Sequence, residues 1–160
     1  EIIRKGVGVE LFLKSITYAL DRRNAKKTEL QKPRTSKGRI MVVDDEIDIR
    51  FILEKFLTKH GYEVITAQNG EEAINKIMQD KTNPPQLVLL DITMPGMDGM
   101  VALKKIKEIN NKIGVVMVSG VTDLEIAQKA MDMGAYDYVM KPFNLEYLEM
   151  VVLTKLLLAE

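Results

Sequence analysis

Four polar points along the sequence carry the residue types for metal or phosphoryl chemistry, and each directly follows a short run that is apolar but for Asp137. Asp44-Asp45 follows Ile40 to Val43, Asp91 follows Leu87 to Leu90, Ser119 follows Val115 to Val118, and Lys141 follows Tyr136 to Met140. Carboxylates brought together repel and raise each other's pKa unless a cation sits among them. An all-oxygen set suits Mg²⁺ or Mn²⁺, which keep several waters and bind through a few carboxylates plus a phosphate. The chain has no cysteine and one histidine, His60, away from these points, so zinc is a poor match. A carboxylate can also act as a nucleophile and hold a phosphoryl group as an acyl phosphate. Such a transfer needs in-line geometry and charge neutralisation. A metal would supply part of that neutralisation and Lys141 another part, while the Ser119 hydroxyl would hydrogen-bond a phosphoryl oxygen.

The elements that must position these residues read as five β-α units. Ile40–Val43 is a β-branched apolar run, and Ile47, Ile49, Ile52, Leu53, Phe56 and Leu57 then recur at helical spacing up to His60-Gly61. Tyr62–Ala67 reads as a second strand, and Asn69 as the N-cap of a helix over Glu71–Asp80. Leu87–Leu90 is the third strand. A loop with Pro95, Gly96 and Gly99 leads to a helix over Val101–Ile109. Val115–Val118 is the fourth strand, and Thr122 or Asp123 caps a helix that stops near Gly134. Tyr136–Met140 is the fifth strand, and the last helix runs from about Asn144 to Leu158. Strands apolar on both faces, alternating with helices, imply a parallel sheet covered on both sides. The expected fold is α/β, a flavodoxin-like (βα)5 doubly wound parallel sheet of order 2-1-3-4-5, with an N-terminal helical extension. In such sheets the site lies beyond the carboxyl ends of the strands. Four of the five carboxyl ends carry the polar residues above, so they should converge on one rim.

Taken singly, each residue has a plainer role. Asp44-Asp45 would cap a helix, Asp91 would make an Asx-turn, Ser119 would cap a turn, Lys141 would be solvated and Tyr138 would pack as a strand aromatic. His60 belongs at a helix end in a solvated or dipole-pairing role. Met94, Met97 and Met100 read as core and loop packing. Convergence at one rim is what favours the chemical reading.

Asp44-Asp45 after an apolar strand, Asp91 within Leu-Leu-Asp-Ile-Thr-Met-Pro-Gly-Met-Asp-Gly, Ser119-Gly120, and Lys141-Pro142-Phe143 together resemble the response-regulator receiver signature. The resemblance covers about residues 38–160. It implies that Asp91 is the phosphoacceptor and that Asp45 and Asp91 ligate the metal directly. Asp44 would help largely through water, and the Thr93 backbone carbonyl would complete the protein ligands. Ser119 would be the switch hydroxyl and Tyr138 the aromatic switch. Lys141 would pair with the phosphoryl group, with a cis bond to Pro142, and Pro95 and Gly99 would shape the acceptor loop. The implied donor is a histidine kinase or a histidine phosphotransfer protein. The implied output is a changed face made by the fourth helix, fifth strand and fifth helix, in a cytoplasmic protein.

Composition is that of an ordinary soluble chain, with 46% apolar and 29% charged residues. No apolar run is long enough to span a bilayer, and Arg4, Lys5 and Lys14 interrupt any signal-peptide pattern. Neither a membrane nor a nucleic acid is an expected partner of this chain. The charge is split: residues 1–37 hold ten Lys and Arg against four Asp and Glu, whereas the remainder holds thirteen against nineteen. The polar stretch Gln31–Gly38 separates the two, giving an N-terminal extension at 1–37 and a receiver domain at 38–160. In the extension Leu11, Phe12, Leu13, Ile16, Ala19 and Leu20 form an amphipathic pattern, and Asp21 to Lys27 continue it with charge. Ile2-Ile3-Arg4-Lys5-Gly6 resembles the strand end of another receiver, so the extension reads either as the tail of an upstream receiver or as a linker or dimerisation helix. Its apolar face must be covered, by the domain or by a second chain. Homodimerisation through this helix or through the face of the fourth helix, fifth strand and fifth helix is an expectation. No output domain follows residue 160, so the expected protein is a stand-alone regulator or a piece of a larger sensor. Two alternatives compete. One is a phosphorylation-independent pseudo-receiver. The other is an aspartyl-phosphate phosphatase, against which Glu46 and Thr93 stand two positions after Asp44 and Asp91.

Overall fold

The computed structural model of the protein describes residues 13–16 and 36–158. Within them the strands are β1 (Arg39–Val43), β2 (Glu63–Ala67), β3 (Leu87–Leu90), β4 (Gly114–Ser119) and β5 (Asp137–Met140). The helices that follow them are α1 (Ile47–Lys59), α2 (Gly70–Gln79), α3 (Gly99–Ile109), α4 (Leu124–Asp132) and α5 (Leu145–Leu157). The strands form a parallel sheet of order β2-β1-β3-β4-β5, the order expected from the sequence.

Alternate side chains of a strand point to opposite faces, so the continuous apolar runs supply two cores. Met41, Val43, Val88, Leu90, Val115 and Met117 pack under α2, α3 and α4. Ile40, Val42, Leu87, Leu89, Val116, Val118 and Val139 pack under α1 and α5. All residues of β3 and β4 are buried, which explains why neither run alternates with polar residues.

Side-chain caps fix where most helices begin. Asn69 accepts from the Glu72 amide at 2.8 Å, and Asp123 from the Glu125 amide at 2.8 Å. Asn144 accepts from Glu146 and Tyr147. Helix α3 starts two residues before the expected Val101, because Asp98 caps it through the Val101 amide at 3.0 Å. Gly99 makes that start possible, since its backbone lies against that of Asp91 and Ile92 where a Cβ would collide. α1 ends at Gly61, whose φ of +95° suits glycine.

His60 is a finding. It caps α1 but is not simply solvated: its Nδ1 lies 2.7 Å from the Phe56 carbonyl, and its Nε2 3.5 Å from Glu149 on α5. It therefore ties the two helices of one layer together. Residues 13–16 are helical, within the amphipathic stretch read from the sequence. The Ile2–Gly6 strand reading, the charged run Asp21–Lys27 and the linker up to residue 35 lie outside the described residues.

Candidate functional site

The parallel register brings the carboxyl ends of β1, β3, β4 and β5 to one rim. Asp44 and Asp91, directly after β1 and β3, are buried at 3% and 5% exposure, and Ser119 at the end of β4 is fully buried. Charged groups are rarely buried to this degree without partners. The Lys141 ammonium, from beyond β5, is that partner: it donates to Asp44 Oδ2 at 2.5 Å and to Asp91 Oδ2 at 3.3 Å. The other oxygen of each aspartate is held locally. Asp44 Oδ1 accepts from the Glu46 amide at 2.9 Å, and Asp91 Oδ1 from the Thr93 amide at 3.3 Å. The plain Asx-turn geometry and the clustering thus coexist, one oxygen serving each. Lys141 is itself anchored by its backbone amide on the Ser119 carbonyl at 2.8 Å, and its bond to Pro142 is cis.

The electrostatics follow from this arrangement. Burial pushes the Asp44 carboxyl above the ordinary carboxylate range, against the opposing hydrogen bond from Lys141. Burial alone would lower the Lys141 ammonium, but the hydrogen bond and charge of Asp44, then Asp91, outweigh it and hold it above its ordinary value. The Asp44 direction reports burial, whereas that of Lys141 reports an excess of negative charge at the rim.

Asp45 and Glu46 add to that excess. Together with Asp44 they offer carboxylate oxygens within 4.8 Å of one another, and both are exposed. Asp91 faces Asp44 across the shared ammonium. This donor set is all oxygen, over-supplied with negative charge and open on one side, and so fits a hard divalent cation. In the sequence Glu46 bore only on the phosphatase alternative, two positions after Asp44. Its place beside Lys141, 3.6 Å away, comes from the turn into α1.

Ser119 and Tyr138 lie on the α4 side of the rim. Ser119 Oγ accepts from the Val121 amide at 3.2 Å, and the half-buried Tyr138 hydroxyl donates to the Val121 carbonyl at 2.7 Å. Burial raises the Tyr138 hydroxyl above its ordinary value, opposed by a hydrogen bond with Ser119. The β4–α4 segment is therefore held by both predicted switch residues. Thr93, directly after Asp91 and Ile92, has an exposed side chain and lines a pocket with Ile126 and Lys129 of α4. Arg50, one turn into α1, donates to the Asp44 carbonyl at 2.6 Å and braces the β1–α1 turn. Nothing in the sequence marked that contact.

A 2-1-3-4-5 parallel sheet with carboxylates from two central strands bridged by a lysine from the edge strand defines a receiver-type α/β signalling module. The chain belongs to the response regulator receiver domain family, which it matches over residues 40–153. It is 40% identical over 107 residues to the chemotaxis protein CheY of Bacillus subtilis (strain 168), covering 66% of this chain and 87% of that protein. It is 35% identical over 108 residues to sporulation initiation phosphotransferase F of the same organism, covering 68% and 85%. A chain in a crystal structure of the CheX-CheY-BeF3-Mg²⁺ complex from Borrelia burgdorferi superposes with a TM-score of 0.69 at 30% identity, covering 73% of this chain and 87% of that one. Receiver domains are two-component signalling modules that bind Mg²⁺ through an acidic cluster and work with kinases and phosphotransfer proteins. Among the described residues no helix is long and apolar enough to cross a membrane.

Proposed function

We propose that residues 38–160 form a phosphoacceptor domain in which Asp91 takes a phosphoryl group from a phosphohistidine donor. The donor's phosphorus–nitrogen bond breaks, a bond from an Asp91 carboxylate oxygen to phosphorus forms, and the released imidazole takes up a proton from water. The observation that carries this reading is the Lys141 ammonium shared between the Asp44 and Asp91 carboxylates at a buried rim. A cation held there can follow the charge from the free carboxylate to a phosphoryl oxygen without leaving the site. Asp45, Asp91 and the Thr93 carbonyl would hold Mg²⁺, or Mn²⁺ in its place, with Asp44 acting mainly through water. When bound, the metal neutralises charge on the phosphoryl oxygens. The BeF3 and Mg²⁺ named with the similar Borrelia protein, and the phosphotransferase activity named for the Bacillus relative, support this chemistry.

Ser119 and Tyr138 would carry the signal outward. A phosphoryl oxygen that draws the Ser119 hydroxyl inward competes with the Val121 amide for it. That loosens the β4–α4 segment, which Tyr138 also holds, and remodels the α4-β5-α5 face. The protein would act as a switch, promoting only its own phosphorylation and dephosphorylation. The test is intact mass after incubation with acetyl phosphate and Mg²⁺. Wild type gains one phosphoryl group, and Asp91→Asn and the EDTA-treated protein gain none. Equal labelling of wild type and Asp91→Asn would refute the assignment, and no labelling of either would favour an idle pseudo-receiver.

A further inference from the structure

Helix α5 carries more apolar surface than the sheet takes up. Leu145, Leu148, Val151 and Val152 are buried against the sheet, whereas Met150, Leu153 and Leu157, at i, i+3 and i+7, remain 56%, 40% and 69% exposed. A helix apolar all round is normally enclosed. The edge of α5 that faces α1 is marked by Glu149, which reaches His60 at the end of α1. Leu153 and Leu156 follow Glu149 by four and seven residues and share that edge. On the same side of the sheet, Ile49 and Ile52 of α1 are half-buried over that core cluster.

Ile16 occupies that side. It belongs to the helical turn at 13–16, is half-buried, and packs against the cluster beneath α1 and α5. We propose that the segment bearing residues 13–16 is an intramolecular strap, docked on the α1–α5 layer of its own domain with Ile16 as anchor. Two observations favour the same chain over a second copy as the occupant. Nineteen residues separate Ile16 from Ser36, and fully extended they span roughly 60 Å, ample to return across a domain of this size. The extension is net positive and the domain net negative by the same amount, so attraction favours the return. The sequence alone left the cover of this amphipathic stretch open between the domain and a second chain.

The chain contains no cysteine, so introduced thiols report unambiguously. Ile16→Cys combined with Leu153→Cys in the full chain, treated with a short bis-maleimide at low protein concentration, should give an intrachain cross-link in a monomer. Hydrogen exchange gives a second measure. Ile16→Asp should accelerate exchange of α1 and α5 amides several-fold, while Leu13→Asp, at a position 55% exposed, should leave it unchanged. Interchain cross-links, or a dimer by sedimentation whose dissociation alone exposes α5, would make a second copy the occupant and overturn the strap. Absence of any cross-link together with equal exchange in the two aspartate variants would also overturn it. Neither readout involves a phosphodonor, so the result is independent of the role of Asp91.

Discussion

Gly99→Ala tests whether the acceptor strand is set by one close backbone approach. A Cβ at Gly99 would lie 2.0 Å from the Asp91 carbonyl oxygen, 2.6 Å from Ile92 Cα and 2.8 Å from the Asp91 carbonyl carbon. Ordinary contacts between carbon atoms are about 3.5–4.0 Å, and every colliding atom is backbone, so no rotamer change can relieve the clash. Either the Asp91–Ile92 segment or the first turn of α3 must retreat by about an ångström. The Gly99 amide now donates to the Ile92 carbonyl at 2.8 Å, and the Asp91 amide to the Val43 carbonyl at 3.0 Å, and such a retreat strains both. Overpacking costs about 1–3 kcal/mol, and one weakened hydrogen bond adds about 1 kcal/mol. A total near 3 kcal/mol lowers Tm by roughly 10 °C in a domain of this size. Gly120→Ala is the control: its Cβ would meet nothing within 4 Å, and the cost should stay within about 0.5 kcal/mol. Thermal and urea unfolding followed by circular dichroism decide it. If Gly99→Ala unfolds with the same midpoint as Gly120→Ala, the close-approach reasoning is wrong.

The stability of Asp44→Asn relative to wild type should rise with pH. The folded-state pKa of Asp44 is raised by burial, so its contribution is fully present below the ordinary value near 3.8 and is lost as pH rises through the folded value. Urea unfolding at pH 4 and pH 7 checks the sign, and a larger gain at pH 4 would contradict it. Mg²⁺ should raise the wild-type unfolding midpoint at pH 7, by about 2.7 kcal/mol at a hundredfold excess over Kd. The shift should vanish in Asp45→Asn, and thermal unfolding with EDTA or Mg²⁺ measures it. Asn144→Ala removes a cap that accepts from two amides of α5; a loss of about 1 kcal/mol is expected in urea unfolding.

The strand ends were the most legible part of the molecule, because a polar residue that stops an apolar run is visible without any partner. Asp44, Asp91, Ser119 and Lys141 were found that way. Caps were legible for the same local reason, at Asn69 and at Asp123 as one of two candidates. What escaped the sequence depends on contacts through space. Arg39 joins β1 because it pairs with Glu63 opposite it on β2 and with Asp80 beyond α2. α3 begins early because Gly99 lets two backbones touch. His60 reaches Glu149 only because α1 and α5 are neighbours on one sheet face. The Arg50 brace and the place of Glu46 depend on the shape of the β1–α1 turn, which spacing does not encode.

The bridge made by Lys141 also has a temporal meaning. Its partners lie 97 and 50 residues earlier in the chain, and it comes from the last strand to be synthesised. A nascent or truncated polypeptide ending before β5 has both aspartates but no ammonium between them, and its sheet still lacks an edge. Contacts between such distant positions form late, after the loops between them have closed. The bridge between the two aspartates is therefore completed only when Lys141 and β5 have joined the sheet.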